Sequence, residues 1–168
     1  ACVPLKIVTD DGEYLDTAEL DAVGMAQTLR SYKGKTGTSC PNVADWLAAY
    51  EGAEEVFVVT ITGTLSGSYN AAVAARIMVL EEHPEKKIFI LDTLSCSGAL
   101  AGAAELANKL IGEGQTFEDI CFALEKFAES THILFSLASF DNLAKNGRVS
   151  KVVGFIAGRL NMRVLGRR

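Results

Sequence analysis

The residues best placed to do chemistry lie in two short hydroxyl-rich segments, Thr36-Gly37-Thr38-Ser39-Cys40-Pro41-Asn42 and Thr62-Gly63-Thr64-Leu65-Ser66-Gly67-Ser68. Each precedes a stretch that reads as a helix, and the second directly follows the apolar run Val56 to Ile61, which reads as a strand. Hydroxyls and free backbone N–H groups at a helix start make a site for a small anion, because the donors point outward and the helix dipole favours negative charge. Two such segments in one short chain point to a carboxylate or a phosphate. The same residue types also serve as ordinary caps and turns, and the choice between these readings rests on what else the chain carries.

Most routes to catalysis lack their parts. Gly63-Thr64-Leu65-Ser66-Gly67 is not the G-x-S-x-G nucleophile elbow, the loop has no phosphate-loop lysine, and no G-x-G-x-x-G follows a strand. A serine nucleophile needs a base within hydrogen-bond reach. The only histidines, His83 and His132, read as structural: His83 precedes Pro84 at a helix end and His132 opens a strand. Cys2, Cys40, Cys96 and Cys121 form no C-x-x-C pair and have no histidine close in sequence, so no metal site is expected. They read as reduced thiols, with Cys121 on the buried face of a helix. The chemistry favours binding over turnover.

The 168 residues suit one domain, which at that size buries roughly 70% of the surface its unfolded chain exposes. A hydrophobic content of 49% with 22% charged residues excludes a largely disordered chain. Net charge is −5, from 16 basic and 21 acidic side chains, so no nucleic-acid partner is expected. The only basic cluster, Arg159, Arg163, Arg167 and Arg168, lies at the very end. No apolar run reaches the roughly 18–20 residues of a membrane span and no signal peptide opens the chain, which predicts a cytoplasmic protein without stable membrane insertion.

The elements that must position these loops alternate. Val3 to Thr9 reads as a strand, with turn residues Asp10 to Glu13 leading to a short strand at Tyr14-Leu15. Thr17 is placed to cap a helix over Ala18 to Ser31. Asn42 caps a short helix through Trp46 and Tyr50, closed by Gly52. Val56 to Ile61 reads as a central parallel strand, followed by a helix from Tyr69 to Glu82 stopped by Pro84. Lys87 to Asp92 is another strand, Ser97 to Gly112 a small-residue helix, and Thr116 caps a helix over Phe117 to Glu129. A strand at His132 to Leu137 precedes a helical remainder through Leu143 and Val152 to Leu160, broken at Asn146-Gly147. This alternation predicts an α/β fold with a parallel sheet, right-handed crossovers and helices on both faces. Ligands of such sheets bind beyond the carboxyl ends of the strands, which is where Ser66 to Ser68, Asp92 to Ser95 and the loop after Leu137 fall.

Four motifs resemble, in order and approximate spacing, those of the DegV family: Thr38-Ser39-x-Pro41, Leu65-Ser66-Gly67-Ser68-Tyr69, the strand-end Asp92-Thr93, and Asn146-Gly147-Arg148-Val149-Ser150. The family's versions read TSxPS, LSGT/SY, D-S after a strand, and GGRI/VS, and the resemblance covers nearly the whole chain. It implies a non-enzymatic bacterial protein that binds a long-chain fatty acid such as palmitate, uses no cofactor, and presents its ligand to a fatty acid kinase for acyl-phosphate formation. It further implies that Thr38 and Ser66 hold the carboxylate, with Ser39, Gly67, Ser68, Thr62 and Asp92 in supporting loops. Arg148 is then either a structural arginine or a contact for a partner. An apolar tunnel would take the acyl tail.

Cys40 and Asn42 depart from the first motif, where the family usually has a polar residue and a serine. The chain opens at what matches the family's second strand and stops where the family continues into a smaller second domain. The expectation is therefore a DegV-type domain over residues 1–168, incomplete at both termini. A serine-dependent hydrolase acting through Ser66 on a small acyl or phosphoryl substrate stands as the alternative from a different class.

Overall fold

The computed structural model describes residues 1–137, 146–147 and 164–167. They separate into two compact units, one of Ala1–Glu54 with Asn70–Lys86 and one of Glu55–Tyr69 with Lys87–Arg168.

In the first unit, β1 (Lys6–Thr9) is the middle strand of an antiparallel sheet, between β2 (Gly12–Leu15) and β3 (Thr36–Ser39). The β1–β2 hairpin matches the sequence pattern; Thr9 Oγ1 reinforces its turn by donating to the Gly12 carbonyl at 3.1 Å. Residues 36–39, expected as loop, are instead an edge strand. Alternate threonines suit extended backbone, and the edge of β1 supplies the ladder bonds they need. The helix α1 (Ala22–Ser31) begins later than the sequence suggests. Its N-cap is Asp21, whose Oδ1 accepts from Gly24 N at 2.9 Å, whereas Thr17 sits in a preceding turn closed by Leu20 N to Thr17 O at 3.1 Å. A carboxylate outcompetes a hydroxyl as acceptor for the free N–H groups of a helix start. α1 buries none of its residues.

The next helix, α2 (Val43–Ala49), carries the expected Asn42 cap as a full capping box, with Asp45 N to Asn42 Oδ1 at 3.1 Å and Asn42 N to Asp45 Oδ2 at 2.8 Å. Its buried Trp46 and its C-cap Tyr50, also buried, sit with ring centroids 6.2 Å apart. The Tyr50 hydroxyl donates to the Ala72 carbonyl at 3.0 Å. Ala72 belongs to α3 (Ser68–Glu82), which starts in the second unit and runs on into the first. Lys86 Nζ donates to the Tyr50 carbonyl at 3.0 Å, satisfying one acceptor that the end of α2 leaves free.

The second unit is built on β4 (Glu55–Thr60) and β5 (Lys87–Asp92), paired in parallel from Glu55–Lys87 to Thr60–Asp92. This parallel sheet bears out the α/β class. The helices α4 (Gly98–Gly112) and α5 (Phe117–Ser130) pack on these strands and on each other. Their cluster contains Leu91, Ala103, Ala107, Ile120, Leu124 and Ala128, all buried, with Phe57, Phe89 and Phe127 against it. Ile120, Leu124 and Ala128 recur every four residues, which gives α5 one buried stripe. The two helices approach closely because Gly102 has no side chain: a Cβ there would lie 2.9 Å from Phe127 Cζ. Thr116 caps α5 as expected, accepting from Asp119 N at 3.2 Å. Finally, β6 (Leu134–Leu137) pairs antiparallel with β7 (Val164–Arg167), a strand that the sequence pattern does not reveal. The expected helix over Val152 to Leu160 lies outside the described residues, as does Arg148; Asn146 and Gly147 form a turn.

Candidate functional site

The carboxyl ends of β4 and β5 are tied together by side chains. Thr60 Oγ1 donates to the Leu91 carbonyl at 3.2 Å and Thr93 Oγ1 to the Thr60 carbonyl at 2.9 Å. Thr62 N donates to the Ser95 carbonyl at 2.9 Å, and Ser95 N to Thr93 Oγ1 at 3.3 Å. Thr60, Thr62, Thr93 and Ser95 are all buried, and each finds a hydrogen-bond partner as buried polar groups must. This network continues the two strands into two adjoining loops.

Asp92 spans those loops. Its Oδ2 accepts from Gly63 N at 3.1 Å and its Oδ1 from Leu94 N at 2.9 Å. Leu94 and Ser97 hold left-handed backbone, with φ of 52° and 55°. That conformation costs an L-residue roughly 1 kcal/mol or more and persists only where neighbouring bonds impose it. The loop after β5 is therefore held, not slack.

The Ser66 segment is a tight turn. Leu65 N and Ser66 N both donate to the Thr62 carbonyl, at 3.0 and 3.2 Å. Ser66 Oγ accepts from Ser68 N at 3.2 Å and lies 3.0 Å from Ser68 Oγ. A serine oxygen has two acceptor positions and one proton to give. Ser68 N occupies one lone pair of Ser66 Oγ, and between the two hydroxyls either can be the donor; the one that does not donate within the pair has its proton available to an outside acceptor. The hydrogen-bond partners of Ser66 Oγ among the described residues are thus an amide and a hydroxyl, neither of them a general base. His83 is engaged elsewhere, 3.4 Å from Glu85, and among the described residues no base is hydrogen-bonded to Ser66 Oγ.

The structure brings Thr62, Ser66, Gly67, Ser68 and Asp92 together in the second unit. Thr38 and Ser39 belong to the first unit, at the end of β3. Both are exposed; Ser39 Oγ donates to the Cys40 carbonyl at 3.4 Å, and the Thr38 hydroxyl has no protein partner among the described residues. Sequence reasoning missed the buried threonine–serine cross-links at Thr60, Thr93 and Ser95. Their one signal was a threonine at or just past the end of each apolar strand, where the residue is equally at home as a plain β-former. Cys121 is half-buried, and burial, with Glu125 and Glu118 nearby, pushes its thiol up to about 11, so it stays protonated and unreactive at neutral pH. No group of three or more His, Cys, Asp or Glu among the described residues is arranged to hold a metal ion. No helix among them is long and apolar enough to cross a membrane.

A family model described as "Uncharacterised protein, DegV family" matches residues 1–167. A DegV domain-containing protein of Streptococcus pneumoniae R6 is 44% identical over 165 residues, which cover 98% of this chain and 59% of that protein. Among solved structures, the Streptococcus pneumoniae fatty acid kinase (Fak) B3 protein loaded with linoleic acid superposes with a TM-score of 0.90 at 44% identity, over 98% of this chain and 59% of that one. A DegV family protein from Eubacterium eligens loaded with heptadecanoic acid superposes at 0.87 and 42% identity, over 98% and 60%. The chain thus spans about 59% of the length of the relatives it matches.

Proposed function

The chain belongs to the DegV family, and on that ground we propose that it binds a long-chain fatty acid by its carboxylate and presents it to a fatty acid kinase. In this reading Thr38 and Ser66 donate to the carboxylate, and the Ser66–Ser68 turn supports the second of these contacts. The observation that carries the proposal is the Ser66–Ser68 pair: Ser66 Oγ accepts from Ser68 N and lies 3.0 Å from Ser68 Oγ, so whichever hydroxyl donates within the pair, the other has a proton to give to a carboxylate. Relatives at 42–44% identity that hold fatty acids supply the ligand class. Charge-assisted hydrogen bonds offset the desolvation a carboxylate suffers when it leaves water.

Affinity comes from the tail and orientation from the hydroxyls. At ~0.8 kcal/mol per buried CH₂, a chain the length of palmitate supplies roughly 10 kcal/mol before ordering costs are subtracted. The carrier itself performs no bond chemistry. Its task is to hold one carboxylate oxygen where a kinase can transfer a phosphoryl group to it. Organic extraction of the purified protein followed by mass spectrometry tests the reading. A bound acid of about the length of those in the relatives, or saturable uptake of added palmitate, is expected. Protein that releases no fatty acid and takes none up would overturn it.

A further inference from the structure

The geometry points to Asp92 as the positioning residue that sets Ser66 for its ligand, an inference that rests on the fatty-acid reading above. Asp92 carries negative charge at the end of the sheet where an anion is to bind, which by charge alone is unfavourable. Its placement has another logic. Oδ1 makes a local bond to Leu94 N two residues on, whereas Oδ2 reaches across to Gly63 N, 29 residues away in sequence, at 3.1 Å. Gly63 is the first residue after Thr62, and Thr62 supplies the carbonyl that Ser66 N and Leu65 N both use. Fixing Gly63 therefore fixes the turn that carries Ser66.

The contact leaves little slack. A Cβ on Gly63 would lie 3.3 Å from Asp92 Oδ2 and 3.5 Å from the Tyr69 side chain, so the residue is held from both sides. Both carboxylate oxygens of Asp92 are occupied by backbone N–H groups of adjoining loops. The charge is spread over two donors, and neither donor is left for the ligand. Asp92 thus acts through Ser66 and does not touch the carboxylate.

The sign of one substitution separates the two roles. If Asp92 were only a nearby charge, Asp92→Asn would tighten fatty-acid binding by relieving repulsion. As a positioning residue it weakens binding, because an amide cannot accept from both Gly63 N and Leu94 N without turning its NH₂ toward one of them. Asp92→Ser is the second variant: its hydroxyl retains the local bond to Leu94 N and cannot reach Gly63. Palmitate affinity should fall roughly tenfold in both, the size expected for a weakened charge-assisted hydrogen bond.

The experiment is a double-mutant cycle with Ser66→Ala, read by palmitate titration and repeated with hexadecanol, which lacks the carboxylate. In the Ser66→Ala background, Asp92→Asn and Asp92→Ser should have no further effect on palmitate, and hexadecanol affinity should stay unchanged throughout. Tighter palmitate binding by Asp92→Asn, additive losses in the cycle, or an equal loss of hexadecanol would overturn the positioning role and leave the carrier reading standing. If Ser66→Ala itself leaves palmitate affinity untouched, the carboxylate contact fails, and the role assigned to Asp92 fails with it.

Discussion

Two of the sheets among the described residues, β2-β1-β3 and β4-β5, handle their side chains in opposite ways. The β4–β5 sheet buries Val58, Ile88, Ile90 and Leu91 and closes its carboxyl end with a buried hydroxyl network. In the β1–β3 sheet no strand residue is fully buried, and α1, which follows its hairpin, buries none either. Each sheet carries one proposed ligand contact. Ser66 stands on a loop fixed by the protein's own bonds, and Thr38 on an exposed edge strand whose hydroxyl is open. Preorganisation therefore resides at Ser66, while Thr38 is ordered by whatever comes to it.

Core substitutions should show the contrast most strongly. Leu124 is fully buried in the α4–α5 cluster, so Leu124→Ala should cost about 2–5 kcal/mol through lost contacts and the cavity left behind. Val23 on α1 is 70% exposed, so Val23→Ala should change stability by no more than about 0.5 kcal/mol. Urea denaturation of both variants checks this. Equal costs would mean that α1 is as well packed as α5, and the contrast would fall.

Thr38→Ala and Ser66→Ala should each weaken fatty-acid binding by about 1.5–3 kcal/mol, roughly ten- to over a hundredfold in Kd. They should differ in stability. Ser66→Ala removes the acceptor for Ser68 N at the start of α3, so its melting temperature should drop. Thr38→Ala removes a hydroxyl with no protein partner among the described residues and should melt like the parent. Calorimetric titration and thermal melts on the two variants give both numbers. A Thr38→Ala variant that melts early yet binds normally would make Thr38 a structural residue.

The same contrast governs what could be read from the sequence. Elements with strong local causes were legible: β4 and β5 from apolar runs, α5 from its Thr116 cap, α2 from its Asn42 cap. The first unit was harder. Thr17 and Asp21 both suit an N-cap, and only the observed backbone chooses between them. Thr36 to Ser39 reads equally as turn or strand until an edge is there to pair with. At the site, Ser66 and Asp92 were legible as motif residues, but what Asp92 does was not, because its bond to Gly63 joins residues far apart in sequence. The β6–β7 pairing was hidden for the same reason.

A cap provides a smaller test. Asn42 and Asp45 each satisfy a backbone N–H at the entry to α2, so Asn42→Ala should cost about 1 kcal/mol. Replacing Asn42 by serine, which still accepts from the third residue of the helix, should restore most of it. Loss of fatty-acid affinity beyond the loss of stability would show that this cap also holds the Thr38 segment in place for the ligand. Affinity that simply follows stability would confine Asn42 to capping.

The smallest effect at neutral pH, and the most specific in form, belongs to Tyr50 in the first unit. It is fully buried, and its hydroxyl donates to the Ala72 carbonyl at 3.0 Å. Tyr50→Phe removes that donor while the carbonyl keeps the acceptor role that helix geometry gives it, so the cost should be near the lower end of 0.5–1.5 kcal/mol, about what a net hydrogen bond contributes. The pH dependence carries more. Burial pushes the Tyr50 phenol up to about 12 from its ordinary value of 10.0. Below pH 10 the group is neutral in both the folded and the unfolded chain, and its contribution is whole. Between pH 10 and 12 the unfolded chain ionises first, so stability drains away as pH rises. The phenylalanine variant has nothing there to ionise. The difference in unfolding free energy between the parent and Tyr50→Phe should therefore favour the parent at pH 8 and shrink steadily above pH 10, while the other tyrosines and lysines cancel in the subtraction. A difference that stays constant from pH 8 to 12 would mean that Tyr50 is open to water in the folded chain, and that the contact between α2 and Ala72 is as lightly buried as α1.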